Sequence, residues 1–220
     1  SVAVDKIDMQ KHSGEHPRIG ACDVCPFIPI SGIEKEELNA KVLDFAERVN
    51  KDFELPIYLY EHSASESNRT NLANHRIGNY EALEERILKQ IWNPDIGRSF
   101  NIKSGGMVCG VRDFLVAYNI NLDTKKVATA KSIAGMIRES GNQKNYNKGL
   151  LKNVKAIGWY IKDFDKCQVS INLTDYKTTS LYQVFETTKE VGKQFGVKIT
   201  GSELIGLIPK EALIISGKEY

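Results

Sequence analysis

Apolar positions along the chain change period several times, and each change marks an element. Ala21 to Ile30 reads as a strand whose prolines, Pro26 and Pro29, suit a sheet edge or a bend. Leu38, Val42, Phe45 and Val49 then recur at helical spacing behind a Ser31/Glu34 capping-box signature, predicting a helix with one face on a sheet. Leu55 to Tyr60 predicts a second strand. Glu61 to Asn79 is polar, holds His62 and the Ser67-Asn68-Arg69-Thr70 cluster, and predicts a long loop or broken helix of functional length. Leu83, Ile87 and Ile91 form one stripe of a helix expected over Tyr80 to Ile91.

Beyond Gly110 the pattern starts afresh, which predicts two subdomains, residues 1–110 and 111–220. Phe114, Val116, Tyr118, Ile120 and Leu122 alternate with Leu115, Ala117, Asn119 and Asn121, the period of a strand with one buried face. A helix is expected from about Thr124 to Ser140, stopping at Gly141. Lys155 to Ile161 and Cys167 to Leu173 predict two strands of a hairpin turning at Asp163-Phe164-Asp165-Lys166. Ser180 and Gln183 cap a further helix that ends before Gly196, ahead of the apolar stretch Val197 to Ile208. The order strand, helix, strand, strand, helix, strand is the split βαβ, or ferredoxin-like, pattern, so the fold class is α+β.

Composition narrows the function. Thirty Lys and Arg against 28 Asp and Glu give a net charge of +2, which argues against a polybasic nucleic-acid binder. No signal peptide or run of eighteen apolar residues is visible, so no membrane span is expected, and the cytoplasm is the default location. Among the four cysteines only Cys22 and Cys25 lie close together. In an extended stretch residues three apart point to opposite faces, so reduced structural thiols are expected rather than a redox pair or zinc half-site. No phosphate loop ending in Lys-Ser/Thr is present, and nucleotide hydrolysis is unsupported.

Chemistry concentrates in His12-Ser13-Gly14-Glu15-His16-Pro17-Arg18-Ile19-Gly20. The pattern contains H-x-x-E-H, a zinc-protease motif that places two histidines on one face only when helical. Gly14 and Pro17 oppose a helix, so no metal is expected and acid/base chemistry from a rigid loop is the better reading. A polar loop with locally bonded histidines is the bland alternative. Arg18 offers a planar fork for a carboxylate, or else a surface ion pair. Asn119 and Asn121 share a strand face and could line a site or bond backbone groups. Trp159 reads as core.

Family resemblance adds to this. Asp8-Met9, Lys11-His12, Gly14-Glu15-His16-Pro17-Arg18, Gly20-Ala21 and Asp23-Val24-Cys25-Pro26-Phe27-Ile28-Pro29 resemble the formiminotransferase domain of glutamate formiminotransferases. Pro56-Ile57-Tyr58-Leu59-Tyr60, Tyr80-Glu81-Ala82-Leu83, Trp92 with Pro94-Asp95 and Gly97, and Tyr118-Asn119-Ile120-Asn121-Leu122 continue the match. So do Gly158-Trp159-Tyr160, Gln168-Val169-Ser170 and Gly201-Ser202 with Gly206-Leu207. The resemblance implies two α/β subdomains with sheets facing a substrate cleft, the first subdomain lacking its opening strand, helix and Asn-Arg-Thr loop.

It further implies transfer of a formimino group from N-formimino-L-glutamate to tetrahydrofolate in histidine degradation, with folate as co-substrate and His16 as the catalytic residue. From their own chemistry and placement, rather than from the resemblance, Arg18, His12, Asn119 and Asn121 are the expected substrate-binding residues, with His12 otherwise a partner that supports another site residue from behind. The segment from Gly97 to Gly105 corresponds to the folate-binding loop, one residue shorter. There Gly97, Ser99, Phe100 and Gly105 keep the family pattern, whereas Arg98, Asn101, Ile102, Lys103 and Ser104 depart from it. Arg98 and Lys103 could meet the folate carboxylates. Formyl transfer between 5-formyltetrahydrofolate and glutamate, or a non-catalytic folate-binding module, are the alternatives. A homodimer is allowed. Because a fused cyclodeaminase domain does not fit in 220 residues, a separate cyclodeaminase is the implied partner.

Overall fold

The computed structural model describes residues 2–14, 16–142 and 148–220. The chain divides into two compact units, Ser1–Arg112 and Asp113–Tyr220. The first opens with a short helix, α1 (Val2–Lys6), followed by the histidine loop and β1 (Asp23–Phe27). Then come α2 (Lys35–Phe53) and β2 (Ile57–Leu59). Two 3₁₀ turns, α3 (Leu72–His75), a third 3₁₀ turn and α4 (Leu83–Leu88) occupy the polar stretch before β3 (Met107–Val111). The sheet is parallel in the order β1-β3-β2. Pro26 sits in β1 at the sheet edge, where a missing N–H costs no ladder bond.

The central strand β3 is buried at every residue, as a parallel strand covered on both faces should be. Met107, Cys109 and Val111 pack with Val42 and Ala46 of α2 on one face. Val108 meets Ile19, Tyr58, Leu83 and Ile87 on the other. Ile19, from the histidine loop, is completely buried in this second layer. Core packing therefore anchors one end of the loop that carries the candidate chemistry.

Boundaries in this unit differ from expectation for local reasons. Gly32 (φ +71°) turns the chain after Ser31, so α2 starts only at Lys35 and Glu34 makes no side-chain cap in place of the expected box. The helix expected to reach Ile91 stops at Leu88. Gln90 adopts φ +56°, and Ile91 is left 64% exposed instead of extending the apolar stripe.

The second unit comprises β4 (Val116–Leu122), α5 (Val127–Ile137), β5 (Val154–Ile161), β6 (Lys166–Leu173), α6 (Leu181–Gln194), β7 (Ile199–Ile205) and α7 (Lys210–Glu219). Its sheet is antiparallel in the order β5-β6-β4-β7, the arrangement the ferredoxin-like pattern demands. Val116, Tyr118, Ile120 and Leu122 face α5 and α6 together with Cys167, Val169, Ile171 and Leu173. The Ser180/Gln183 capping box forms as predicted. By contrast α5 ends at Ile137, short of Gly141. Its last carbonyls, on Met136 and Ile137, accept the amides of Leu150 (2.9 Å) and Leu151 (3.1 Å), and Arg138 turns to extended backbone. Helix α7 was not foreseen, because among its residues only Ala212 is buried and its apolar spacing is weak.

The four cysteines are free thiols. Cys25 pairs in register with buried Cys109 rather than turning to Cys22, and its contact together with burial pushes the Cys109 thiol up from its ordinary range.

Gly158 lies where α5 crosses β5: a Cβ there would sit 2.2 Å from the Ala130 carbonyl carbon and 2.3 Å from the Lys131 nitrogen. Both are backbone atoms and cannot rotate away. Gly158→Ala should therefore lower stability by about 1–3 kcal/mol, seen as a lower thermal unfolding midpoint. An unchanged midpoint would contradict this packing.

Candidate active site

The histidine loop is stitched to the segment around Gly105 by backbone bonds. Ala21 N–H donates to Ser104 O (2.8 Å) and Gly106 N–H to Ile19 O (3.0 Å), which sets Gly20 opposite Gly105 in an antiparallel bridge. Pairs of this type bring Cα atoms to about 4.5 Å, the closest approach in a sheet. There is no room for side chains. A Cβ on Gly20 would lie 2.1 Å from Gly106 O, and one on Gly105 would lie 2.2 Å from Ile19 O. Gly105 also adopts φ +68°. A third bond, from Met9 N–H to Lys103 O (2.8 Å), ties the entry of the loop to the same segment.

The two stretches that sequence reasoning selected separately are thus neighbours within the first unit. The glycines, however, approach the protein's own atoms. Gly97 (φ +73°) makes room for Asn50, whose Nδ2 would be 2.1 Å from an added Cβ and donates to Leu55 O (2.8 Å). Of the remaining loop residues, Arg98 and Ser99 are exposed. Phe100 lies with its ring centroid 5.7 Å from that of Tyr80. Lys103 donates to the Asp5 carbonyl (3.0 Å), so its ammonium is engaged at the end of α1.

Arg18 closes the other side of the loop. Its guanidinium makes a two-toothed pair with Glu81, at 2.8 and 2.6 Å, and donates to the His12 carbonyl at 3.0 Å. Its backbone is held as well: Arg18 N–H reaches Asn79 Oδ1 (3.3 Å), and Arg18 O accepts from Tyr80 N–H (2.8 Å). The fork offered for a substrate carboxylate is therefore occupied by Glu81. His12 and His16 are both exposed and lie outside any helix, so the backbone does not bring them to the i, i+4 helical face that the zinc motif uses. Glu15 falls outside the described residues. Among the described residues no group of three or more His, Cys, Asp and Glu gathers to hold a metal.

Behind Glu81 and Asn79 stands a buried hub that fixes the 61–95 stretch. Trp92 Nε1–H donates to His75 Nδ1 (3.2 Å), and an indole can only donate, so the ring proton of His75 is on Nε2, where it meets Arg69 O at 2.7 Å. Burial pushes the His75 pKa down, which keeps the imidazole neutral in that role. The Arg69 and Arg86 guanidinium carbons lie 4.8 and 5.6 Å from the Trp92 ring centroid. Asp95 accepts from Leu59 N–H, Ser65 Oγ and Arg69 Nη1 at 2.9, 2.6 and 3.1 Å.

In the second unit Asn119 and Asn121 lie on the sheet face turned away from its helices, alongside Gln168, Trp159 and Glu203. Gln168 Nε2 donates to Asn121 Oδ1 (2.7 Å) and Glu203 Oε1 (2.8 Å), while Asn119 Nδ2 reaches Glu203 Oε1 (3.3 Å). Neither asparagine is spent on the backbone in these contacts. Trp159, expected in the core, is half-buried on this polar face and donates to Gln168 Oε1 (3.0 Å). Sequence reasoning missed Gln168 and Glu203. The period-two alternation that selected the asparagines also marks Gln168 and Ser170, whose neighbours Cys167, Val169 and Ile171 are core.

Comparison with known proteins bears on both units. Residues 1–112 match the N-terminal subdomain of the formiminotransferase domain, and residues 117–220 match the formiminotransferase domain model. The chain belongs to the formiminotransferase family. It is 44% identical over 99% of its length to glutamate formimidoyltransferase of Streptococcus pyogenes serotype M1, covering 71% of that protein. It is 39% identical over 99% of its length to glutamate formimidoyltransferase of Thermoplasma acidophilum, covering 70% of it. Formimidoyltransferase-cyclodeaminase of Dictyostelium discoideum is 41% identical over the full chain, which spans only 41% of that relative. No helix among the described residues is long and apolar enough to cross a membrane.

The Arg18 clasp is testable by acid. Its bond to Arg18 holds the Glu81 carboxyl at about 2 against an ordinary 4.5. A carboxyl depressed in the folded state contributes stability that is fully present above about pH 4.5 and is lost as pH falls towards 2. Glu81 is largely exposed, so solvent screening limits this to under about 1 kcal/mol. Urea unfolding of the native protein and Glu81→Gln should differ by a constant amount above pH 5, and the difference should shrink steadily as pH falls from about 4.5 towards 2. A difference independent of pH would remove the clasp from the account.

Proposed function

We propose that this chain transfers the formimino group of N-formimino-L-glutamate to tetrahydrofolate, in histidine degradation. The observation that carries the reading is identity of 44% with a glutamate formimidoyltransferase across nearly the whole chain, including the His16 loop and the loop packed against it. The folate N5 attacks the amidine carbon and the new carbon–nitrogen bond gives a tetrahedral adduct. N5 then loses its proton, the glutamate nitrogen gains one, and the bond from carbon to that nitrogen breaks. His16 is the group that takes and returns the proton, since an imidazole changes charge near neutrality and this one is exposed on a braced loop.

Folate falls to the 97–105 segment. With Gly97 and Gly105 committed to internal packing and Lys103 engaged by the Asp5 carbonyl, the expected contact residues left to meet folate are Arg98, Ser99 and Phe100. Arg18 and His12 shape the loop around His16, Arg18 through its guanidinium and His12 through its carbonyl.

His16→Ala should leave the thermal midpoint unchanged and reduce transfer by roughly 10²- to 10⁴-fold, the usual contribution of a positioned acid/base. Folate binding should persist in that variant. Near-normal turnover would overturn the role of His16, and a native chain that binds folate without transferring would make it a binding module. Dialysis against a chelator should leave activity intact, and zinc-dependent recovery after chelation would restore the metal reading.

A further inference from the structure

The polar face of the second unit carries a built arrangement that the transfer chemistry above does not use. Across the sheet, Trp159 pairs with Gln168 and Gln168 with Asn121, while Ser170 pairs with Asn119 and Asn119 with Glu203. Gln168 is 1% exposed and Asn119 is 7% exposed, although both are polar. Burying an amide is costly unless its donors and acceptors are filled, and Gln168 fills all of its own. The indole of Trp159 fixes its carbonyl, so both amide hydrogens must point to Asn121 and Glu203.

The result is a carboxylate with one oxygen, Oε1, accepting from two buried amides at 2.8 and 3.3 Å. No lysine or arginine among the described residues pairs with it. Glu203 is half-buried, so the carboxylate is still reached by solvent. Among the described residues Oε2 is unclaimed, and the Asn119 bond to Oε1 is long at 3.3 Å, so both oxygens can still accept. A planar carboxylate held in one orientation is then complementary to two N–H donors on a single carbon, the fork geometry that makes bidentate charge-assisted pairs strong.

We propose that Glu203, oriented by Gln168 and Asn119, is a binding residue for a ligand that presents an N–C–N donor fork. Two parts of the reactants offer that chemistry: the amidinium of the formimino group, and the ring edge of the pterin that bears its amino group beside a ring N–H. The assignment rests on the formiminotransferase reading. Gln168 acts through Glu203, as a positioning residue.

The test is direct binding of N-formimino-L-glutamate, glutamate and 5-formyltetrahydrofolate to the whole protein and to Glu203→Gln, which keeps size and removes charge. Loss of a charged hydrogen bond should weaken one of the two fork-bearing ligands roughly 10- to 100-fold and leave the other, and glutamate, unchanged. Weakened formiminoglutamate identifies the amidinium, and weakened folate identifies the pterin. A second readout needs no variant at Glu203. The indole N–H resonance of Trp159, assigned through Trp159→Phe, should shift when that ligand binds the native chain. Unaltered affinities, or a still resonance with ligand bound, would overturn the role of Glu203 while leaving transfer by His16 intact. A native chain that binds neither ligand would overturn the transferase reading and this assignment with it.

Discussion

The first unit depends on one close contact, the approach of Gly20 to Gly105. Two hydrogen bonds close the bridge on either side, and each glycine would collide with the opposing backbone if it carried a side chain. Because this approach brings the histidine loop against the 97–106 segment, the loop that carries His16 and the candidate folate loop become parts of one piece. Buried Ile19, next to Gly20, fastens that piece to β3 through the core. Position is thus set by backbone geometry and packing, while the His16 side chain lies on the exposed surface of the loop.

Polar groups then hold the loop from its other side. Arg18 spans Glu81 and the His12 carbonyl, and the residues that receive its side chain and backbone, Asn79 to Glu81, lie within the stretch fixed by Trp92, His75 and the two arginines. A buried neutral histidine and a cation-flanked tryptophan are stable only when every polar atom is answered, so this hub gives a single conformation. The same principle operates in the second unit, where a chain of amides from Trp159 through Gln168 orients Glu203.

The sequence was most legible where one physical signal dominated. Strict alternation located β4 and β6, and the Ser180/Gln183 box located the start of α6, because burial and capping there are local. Helix ends were misplaced where distant residues decided them: Leu150 and Leu151 terminate α5, and no local pattern around Gly141 could announce that. For the candidate site, residue chemistry singled out the histidine loop and the glycine loop separately, and it took the fold to show that the two are neighbours, that Gly97 and Gly105 make room for Asn50 and Ile19, and that Glu81 holds Arg18. Long-range partners such as Asn119 and Glu203, 84 positions apart, carry no signature in a single sequence.

Native-state hydrogen exchange of Gly20→Ala tests the central claim most directly, read at the amides of Met9, Ala21 and Gly106, which bond across the contact. If the bridge organises the loop, these amides should lose protection together while those of β4 and β6 keep theirs, and transfer should fall with them. Retained protection at all three with normal transfer would show that the His16 loop is held by something other than the Gly20–Gly105 approach.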